Sequence, residues 1–478
     1  MTDFVGRVAE LELLHKRLDQ TVRSGRGSAV AIRGRRQVGK SRLVQEFCDL
    51  AEVPYLFFTA VKGASAVESR ADFGRAVRQS ELGADLGQLP ESAPASWPDA
   101  FRLLAQALPT APSIVVLDEL PWLAEQDEQF DGALQAAWDR LLARRPVVLL
   151  LLGSDLHMME RLTAYDRPFF GRADNLVLGP LNPADVAAAL DFAPAEAIDA
   201  HLISGGLPGV LQAWPPGLPP LAFLERECAD PAAPVFGIPE STLLAEFPAP
   251  DQSSRVIEAV GGAERTYATI AAASGGVPSG TLSPILARLV GEKRVLAVDE
   301  PLSVQSGRPA LYRIADSNLR LYLAAGRAAQ DLVRRGRPDG AFRLVERRWT
   351  SWRGKAVEPL VREALLLACA AGATPWDGAE AVGGWWNRQL DPEVDIVGAD
   401  RAPVAKRILF VGSVKWLGTR YDRHDLAALA HGATAIPGYV AGESGLVFIS
   451  LSGRSADIGP GEIQLDWGPA DVVAAWQT

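Results

Sequence analysis

The 478-residue sequence holds only three cysteines, Cys48, Cys228 and Cys369, and they lie far apart in the chain. None has the close spacing of a zinc ligand set, so a cysteine-rich metal site is excluded and unpaired thiols in a reducing cytosol are expected. The five histidines are equally scattered, which leaves no His-based zinc motif. Apolar runs of membrane length are missing; the run Val147 to Leu152 is far too short to cross a bilayer. The N-terminal stretch MTDFVGRVAELELLHKRL is charged and amphipathic, unlike the apolar core of a signal peptide. These absences predict a soluble, cytoplasmic protein with no membrane partner. An excess of positive charge is also missing. With a net charge of −10, attraction to nucleic acid over the whole surface is excluded, and any DNA contact has to come from a local basic patch.

What is present is an ordinary globular composition, 48% hydrophobic and 22% charged, so long disordered segments are not expected. The length exceeds what one hydrophobic core supports and predicts roughly three domains.

The first motif is Gly34-Arg35-Arg36-Gln37-Val38-Gly39-Lys40-Ser41, which satisfies GxxxxGK[ST] at every fixed position. Ser28 to Ile32 before it has the pattern of a short buried strand, and Ser41 to Phe47 after it that of a helix with one apolar face. A glycine-rich loop between strand and helix turns its backbone N–H groups toward phosphate oxygens, and the helix N-terminus adds positive potential. Gly34, Gln37, Val38, Gly39 and Arg42 are therefore expected around the phosphates of ATP or ADP. Lys40 is expected at the β- and γ-phosphates, and the Ser41 hydroxyl on Mg²⁺.

A second element is the apolar strand Ser113 to Leu117, which ends in Asp118-Glu119. Asp118 suits a water-mediated contact to Mg²⁺, and Glu119 suits polarisation of the attacking water. A third apolar run, Val147 to Leu152, ends in Gly153-Ser154. Ser154 either holds the water or senses the γ-phosphate, or it simply caps the next helix. Phe169-Phe170-Gly171-Arg172 precedes a strand at Asn175 to Leu178, so Arg172 is either an arginine finger or a solvated surface residue.

Phe4-Val5-Gly6-Arg7 with Glu10-Leu11, then GRRQVGKS, VVLDELPWL, LLGS with Met158, and FFGR, in that order, resemble the archaeal-type ATPase family. That family lies on the AAA+/STAND side of the P-loop proteins, and the resemblance covers roughly the first half of the chain. Gly205-Gly206-Leu207-Pro208 resembles the Gly-x-Pro motif with which a helical lid closes over adenine. The resemblance implies that Val5 and Arg7 border the adenine pocket, that Pro208 approaches it from the lid, and that Arg172 senses or stabilises the γ-phosphate.

Beyond the ATPase, Leu181 to Trp214 reads as short helices, and Pro215 to Pro250 is too rich in proline to favour long regular elements. From Asp251 to Asp316 the pattern is three helices followed by two strands, a winged-helix order. Ser279, Gly280, Thr281, Ser283 and Arg288 form the exposed face of the third helix, which is poor in basic charge for a recognition helix. Arg334 to Lys355 is strongly basic and carries Trp349 and Trp352. That stretch is either a solvated helix face or a nucleic-acid contact in which indoles stack while arginines hold phosphates.

The C-terminal part reads as helix, strand, strand, helix, strand, with Glu358 on the first helix, Asp395 on the strand Glu393 to Val397, and Lys415 near the end of the strand Ile408 to Trp416. This order resembles the PD-(D/E)xK nuclease fold, whose sites place an acid on one strand and acid-x-Lys on the next. Here the acid of the second strand is replaced by Ser413. A hydroxyl is a weak ligand for a hard dication. Either the site is inactive, or Glu358 or Glu393 supplies the missing oxygen. The resulting expectation is a multidomain α/β protein: a P-loop NTPase core at 1–180, a helical lid and Pro-rich connector at 181–250, a winged helix at 251–330, and a restriction-endonuclease-like α/β domain at 331–478. It should bind ATP and Mg²⁺, with DNA, a second copy of the chain or another protein as partner.

Overall fold

Consecutive aliphatic residues without alternation suit a parallel strand covered on both faces, and the N-terminal part of the chain is built on such runs. The computed structural model describes residues 4–83, 89–165, 167, 169–248 and 252–477, and the chain divides into two units, Met1–Pro180 and Leu181–Thr478. In the first unit β1 (Ser28–Arg33), β2 (Tyr55–Thr59), β3 (Ser113–Asp118), β4 (Val147–Gly153) and β5 (Asp174–Val177) form a parallel sheet in the order β2-β3-β4-β1-β5. Every residue of β3 and β4 is buried. Phe58, Phe73, Trp97, Phe101 and Phe130 pack beside the sheet in largely edge-to-face contacts. Because β3, β4 and β1 are neighbours and parallel, the residues that follow their C-terminal ends emerge along one edge of the sheet.

The second unit opens with the helices Pro183–Leu190, Pro194–Ser204 and Pro208–Leu211. Helices Gln252–Val260, Tyr267–Ala273 and Ser279–Gly291 follow, then a small antiparallel sheet in the order β6-β8-β7, formed by β6 (Arg265–Thr266), β7 (Leu296–Asp299) and β8 (Leu311–Ile314). Leu282, Ile285, Leu286 and Leu289 of the third helix are all buried, as their spacing requires. The boundary expected at 250/251 lies outside the described residues. The C-terminal sheet has the order β13-β12-β11-β10-β9, from β9 (Ala381–Trp386), β10 (Glu393–Ala399), β11 (Ile408–Lys415), β12 (Gly445–Ser450) and β13 (Leu465–Trp467). It is mixed: β9, β10 and β11 run antiparallel, and β11, β12 and β13 parallel.

Two expectations are corrected. The proline-rich stretch forms the helices Pro220–Glu227 and Pro234–Glu246. Pro220 and Pro234 sit in the first helical turn, where a missing N–H loses no hydrogen bond, although Pro239 lies inside the second helix. The C-terminal sheet also has two more strands than the sequence pattern predicted, β9 and β13. Glycines hide β9: a Cβ on Gly384 would come within 2.7 Å of the Arg362 guanidinium, and Gly383-Gly384 interrupts a short run whose Val382, Trp385 and Trp386 otherwise suit a strand.

Gly398 in β10 faces the Phe410 ring, and a Cβ there would meet it at 2.1 Å. Gly398→Ala should therefore lower the unfolding free energy by about 1–3 kcal/mol, as overpacking does. Gly354 lies in the helix Pro338–Ala356 with nothing within 4 Å of its Cβ position, and Gly354→Ala should be neutral or stabilising by up to about 1 kcal/mol. Urea titrations of both variants check the pair.

Candidate functional site

The loop after β1 is shaped by close approach. A Cβ on Gly34 would lie 2.3 Å from the Leu178 carbonyl oxygen, so only glycine lets the loop pass the end of β5. Gln37 and Gly39 take positive φ, 66° and 92°, and the helix Lys40–Ala51 begins directly after them. Lys40 is buried, and its Nζ donates to the carbonyl oxygens of Gly34 at 2.8 Å and Arg35 at 3.0 Å. The Ser41 hydroxyl donates to Asp118 Oδ2 at 2.8 Å, and the Glu119 N–H donates to Asp118 Oδ1 at 2.9 Å. Burial pushes the Asp118 carboxyl above its usual range, the charge on Glu119 adds to this, and the Ser41 hydroxyl and Lys40 oppose it. Ser154 is not the cap of the next helix; Asp155 is, accepting from the Met158 N–H. The Ser154 hydroxyl instead donates to Glu119 Oε2 at 2.8 Å. Gln37, Gly39, Lys40, Ser41, Arg42, Glu119 and Ser154 line one cleft of about 450 Å³.

Other expected residues stand elsewhere. Arg7 is buried, and its guanidinium donates to the carbonyl oxygens of Val38 at 3.1 Å and Gly179 at 2.6 Å, tying the N-terminal segment to the phosphate loop and the end of the unit. Val5 is half-buried just before it. Arg172 is not among the cleft-lining residues; its Nε and Nη2 donate to both Asp139 oxygens at 2.8 and 2.9 Å. Pro208, in the second unit, opens the helix Pro208–Leu211. The glycines before it have a packing reason, since a Cβ on Gly206 would meet the Leu181 carbonyl oxygen at 2.0 Å. Three residues of the cleft were missed from the sequence: Arg36, Lys62 and Trp122. Arg36 and Trp122 lie within quoted motifs, Trp122 on the helix that follows Glu119, but Lys62 reaches the cleft through the placement of β2 beside β3.

In the C-terminal unit, carboxylate oxygens of Glu358, Glu393 and Asp395 lie within 4.8 Å of one another. Lys355, which the sequence reading did not place here, puts its Nζ among them, 3.0 Å from Glu358, 2.8 Å from Glu393 and 4.0 Å from Asp395. Arg362 adds a second cation, 3.1 Å from Glu358. The other oxygen of Asp395 accepts from the Ser413 hydroxyl and the Val414 N–H, both at 2.9 Å. Lys415 pairs with Asp425 at 2.7 Å. The Lys355 ammonium thus offsets part of the negative charge that a divalent ion would meet at these carboxylates. Burial opposes the charge of Lys355, but Glu358, Asp395 and Glu393 outweigh it and hold the amine above its usual range. Burial, helped by Asp395, pushes the Glu358 carboxyl up to about 8.

The basic run before this cluster is partly tied down, while Arg335, Arg337, Arg343 and Arg347 are exposed. Trp349 and Trp352 are buried, with 4% and 8% exposure, so the expected stacking surface is not offered. Arg334 pairs with Glu240, Arg348 with the Ala324 carbonyl, and Arg353 with Asp199 and the Trp416 carbonyl.

Glu358 titrates near 4.5 unfolded and about 8 folded, so the folded state holds more protons between these values. The stability this confers is complete below about pH 4.5 and lost as pH rises through about 8. With a chelator present, urea titrations from about pH 5 to about pH 9 should show wild-type stability falling more steeply than that of Glu358→Gln. Equal slopes would mean that Glu358 does not carry the shift.

Residues 3–152 match the family described as "AAA ATPase domain", and residues 327–425 match "Archaea bacterial proteins of unknown function". An uncharacterised protein of Methanocaldococcus jannaschii is 24% identical over 421 residues, covering 86% of this chain and 87% of that protein. Among solved structures, a Walker-type ATPase of Pyrococcus abyssi is 18% identical, covering 67% of this chain and 96% of that one with a TM-score of 0.47. The ORC2 protein of Aeropyrum pernix is 12% identical, covering 71% and 95% with a TM-score of 0.45. Among the described residues no helix is long and apolar enough to cross a membrane. The chain thus carries an AAA ATPase domain at its N-terminal end and is an ATPase.

Proposed function

We propose that the chain is a nucleotide-driven switch acting on DNA, with the ATPase core at 1–180, a helical lid and connector at 181–250, a winged helix at 251–330 and a restriction-endonuclease-like domain at 331–478. The observation that carries the reading is the convergence, at one sheet edge, of the phosphate loop after β1, Asp118 and Glu119 at the end of β3, and Ser154 after β4. Gly34, Gln37, Val38, Gly39 and Arg42 cradle the phosphates, and Lys40 leaves its loop carbonyls for the β- and γ-oxygens. The Ser41 hydroxyl and the Asp118 carboxylate, 2.8 Å apart, are hard oxygen donors that fit Mg²⁺. That ion, when bound, neutralises phosphate charge. Glu119 accepts a proton from the attacking water, and Ser154 fixes the glutamate in place. Val5 and Arg7 border the adenine, and Pro208 belongs to the lid. Arg172, paired with Asp139 within its own unit, serves as a finger toward a neighbouring copy if the chain assembles. The three helices and antiparallel pair between 252 and 314 support the winged helix, and a helix beside the mixed sheet supports the nuclease-like domain.

A second reading makes the C-terminal domain a docking module for a protein partner, in a signalling scaffold or a transcription regulator. The ammonium of Lys355 inside the acid cluster favours it, because a site balanced by lysine is not prepared for a metal. ATPase turnover measured with and without single- and double-stranded DNA across a salt series separates the two readings. Stimulation that falls steeply with salt supports action on DNA, whereas turnover indifferent to DNA supports the scaffold.

Lys40→Ala should abolish ATP binding measured calorimetrically with Mg²⁺, because the phosphates lose their main side-chain cation. Glu119→Gln should retain binding and lose hydrolysis, since an amide does not accept the proton. Wild-type affinity in the first variant, or wild-type turnover in the second, removes the corresponding role.

Wild-type protein should leave DNA uncut in Mg²⁺, since Ser413 stands where a second strand carboxylate is expected and Lys355 fills the cluster. Cutting that Asp395→Ala abolishes would show instead that Glu358 or Glu393 completes a metal site.

A further inference from the structure

We propose that Lys62 is a further cationic residue of the ATPase site, supplied by the same chain to the terminal phosphate of ATP. The proposal rests on the reading of the cleft given above. Of the four cations that line it, Arg36, Lys40 and Arg42 come from the phosphate loop and the helix that follows, whereas Lys62 comes from the loop after β2. That loop is fixed to the elements carrying the acids. Thr59 pairs with Asp118, and the Ala60 N–H donates to the Asp118 carbonyl oxygen at 2.9 Å. Gln126, on the helix Leu120–Gln126, donates to the Val61 carbonyl oxygen at 3.0 Å and accepts from the Ser69 hydroxyl at 2.6 Å. The backbone leading into Lys62 is therefore held in register with Asp118 and Glu119.

The side chain is exposed, and among the described residues it has no carboxylate partner. Its Nζ rests over the Trp122 ring, 4.9 Å from the centroid, and Trp122 lines the same cleft. An indole face holds an ammonium without neutralising it, so the positive charge stays available to an anion. Arg42, by contrast, pairs with Glu46 at 2.9 Å, and Arg172 is held by both oxygens of Asp139. Lys62 thus enters the cleft from outside the phosphate loop and its helix, resting on Trp122 of the helix that follows Glu119.

In hydrolysis the water oxygen bonds to the γ-phosphorus and the bond from that phosphorus to the bridging oxygen breaks. The electron pair leaves on ADP, and the water proton passes by way of Glu119 to the phosphate released. Charge grows on the γ-oxygens and the bridging oxygen, where a fixed ammonium stabilises the transition state more than the ground state.

Lys62→Met, assayed for turnover and separately for ATP affinity, tests this. The expected result is a kcat lower by about 10²–10³-fold, the usual effect of removing one such donor, with ATP affinity changed less than about threefold and partial recovery in Lys62→Arg. Lys62 is exposed on a loop, so the variant should keep its fold, which circular dichroism verifies. Unchanged kcat in a wild-type background that hydrolyses ATP would overturn the proposal alone, as would lost affinity at constant kcat. If Lys40→Ala also turns over at the wild-type rate, the cleft itself has been misassigned and the proposal falls with it.

Discussion

The N-terminal unit depends on one hydrogen bond, from the Ser41 hydroxyl to Asp118 Oδ2. β1 and β3 are not neighbours, because β4 runs between them. The helix after the phosphate loop therefore reaches the acids of β3 only across the end of β4, and this bond makes the crossing. Ser154, which follows β4, closes the remaining gap by donating to Glu119. Two hydroxyl donors thus connect three strand ends into one constellation. Asp118 is only 4% exposed, and a carboxylate so buried must be satisfied. One oxygen accepts the hydroxyl and the other the Glu119 N–H. The same bonds that make the burial tolerable fix the geometry.

Backbone strain gathers in this region and is over-determined by its surroundings. Glu119 has φ 54° and Arg7 has φ 62°, left-handed values that branchless glycine tolerates and other residues adopt at a cost. Glu119 is held there by Asp118 below its N–H and by Ser154 at its carboxylate. Arg7 is held by two carbonyl oxygens, one of them in the phosphate loop itself. A nucleotide that drew Lys40 away from the Gly34 and Arg35 carbonyls would act on a loop whose far side is anchored by Arg7.

Much of this was legible in the sequence because it is local. GRRQVGKS, the strand ending in Asp118-Glu119 and the run before Ser154 carry their own flanking pattern, and the structure joins them in one cleft. Lys62 was not legible, since its approach follows from β2 pairing with β3, a long-range fact with no local signature; Trp122 was within reach, three residues after Glu119 on the helix that follows β3. Lys355 is similar in part: its pair with Glu358 is local, three residues on, but its approach to Glu393 and Asp395 depends on where the strand β10 is placed. The burial of Trp349 and Trp352 did leave a signal. Ala341, Val345, Trp349, Trp352 and Ala356 recur at helical spacing, and all are buried. That stripe marks the indoles as core, while the arginines between them drew attention to charge.

The C-terminal cluster handles carboxylates by the opposite logic. Glu358, Glu393 and Asp395 face Lys355 and Arg362, and the proton that Glu358 retains up to about pH 8 brings the group close to neutral. A carboxylate at position 413 would stand beside Asp395, where the Ser413 hydroxyl now donates from 2.9 Å. Two carboxylates so close repel and call for another cation. Ser413 avoids that demand and supplies a donor in its place, and Lys355 offsets the charge of the remaining acids. In the ATPase cleft the balance is left incomplete, with Lys62 unpaired by any acid among the described residues and open to an incoming anion. In the C-terminal cluster it is complete before any ligand arrives. Unbalanced positive charge favours an incoming anion, whereas a group already close to neutral draws a charged ligand less strongly.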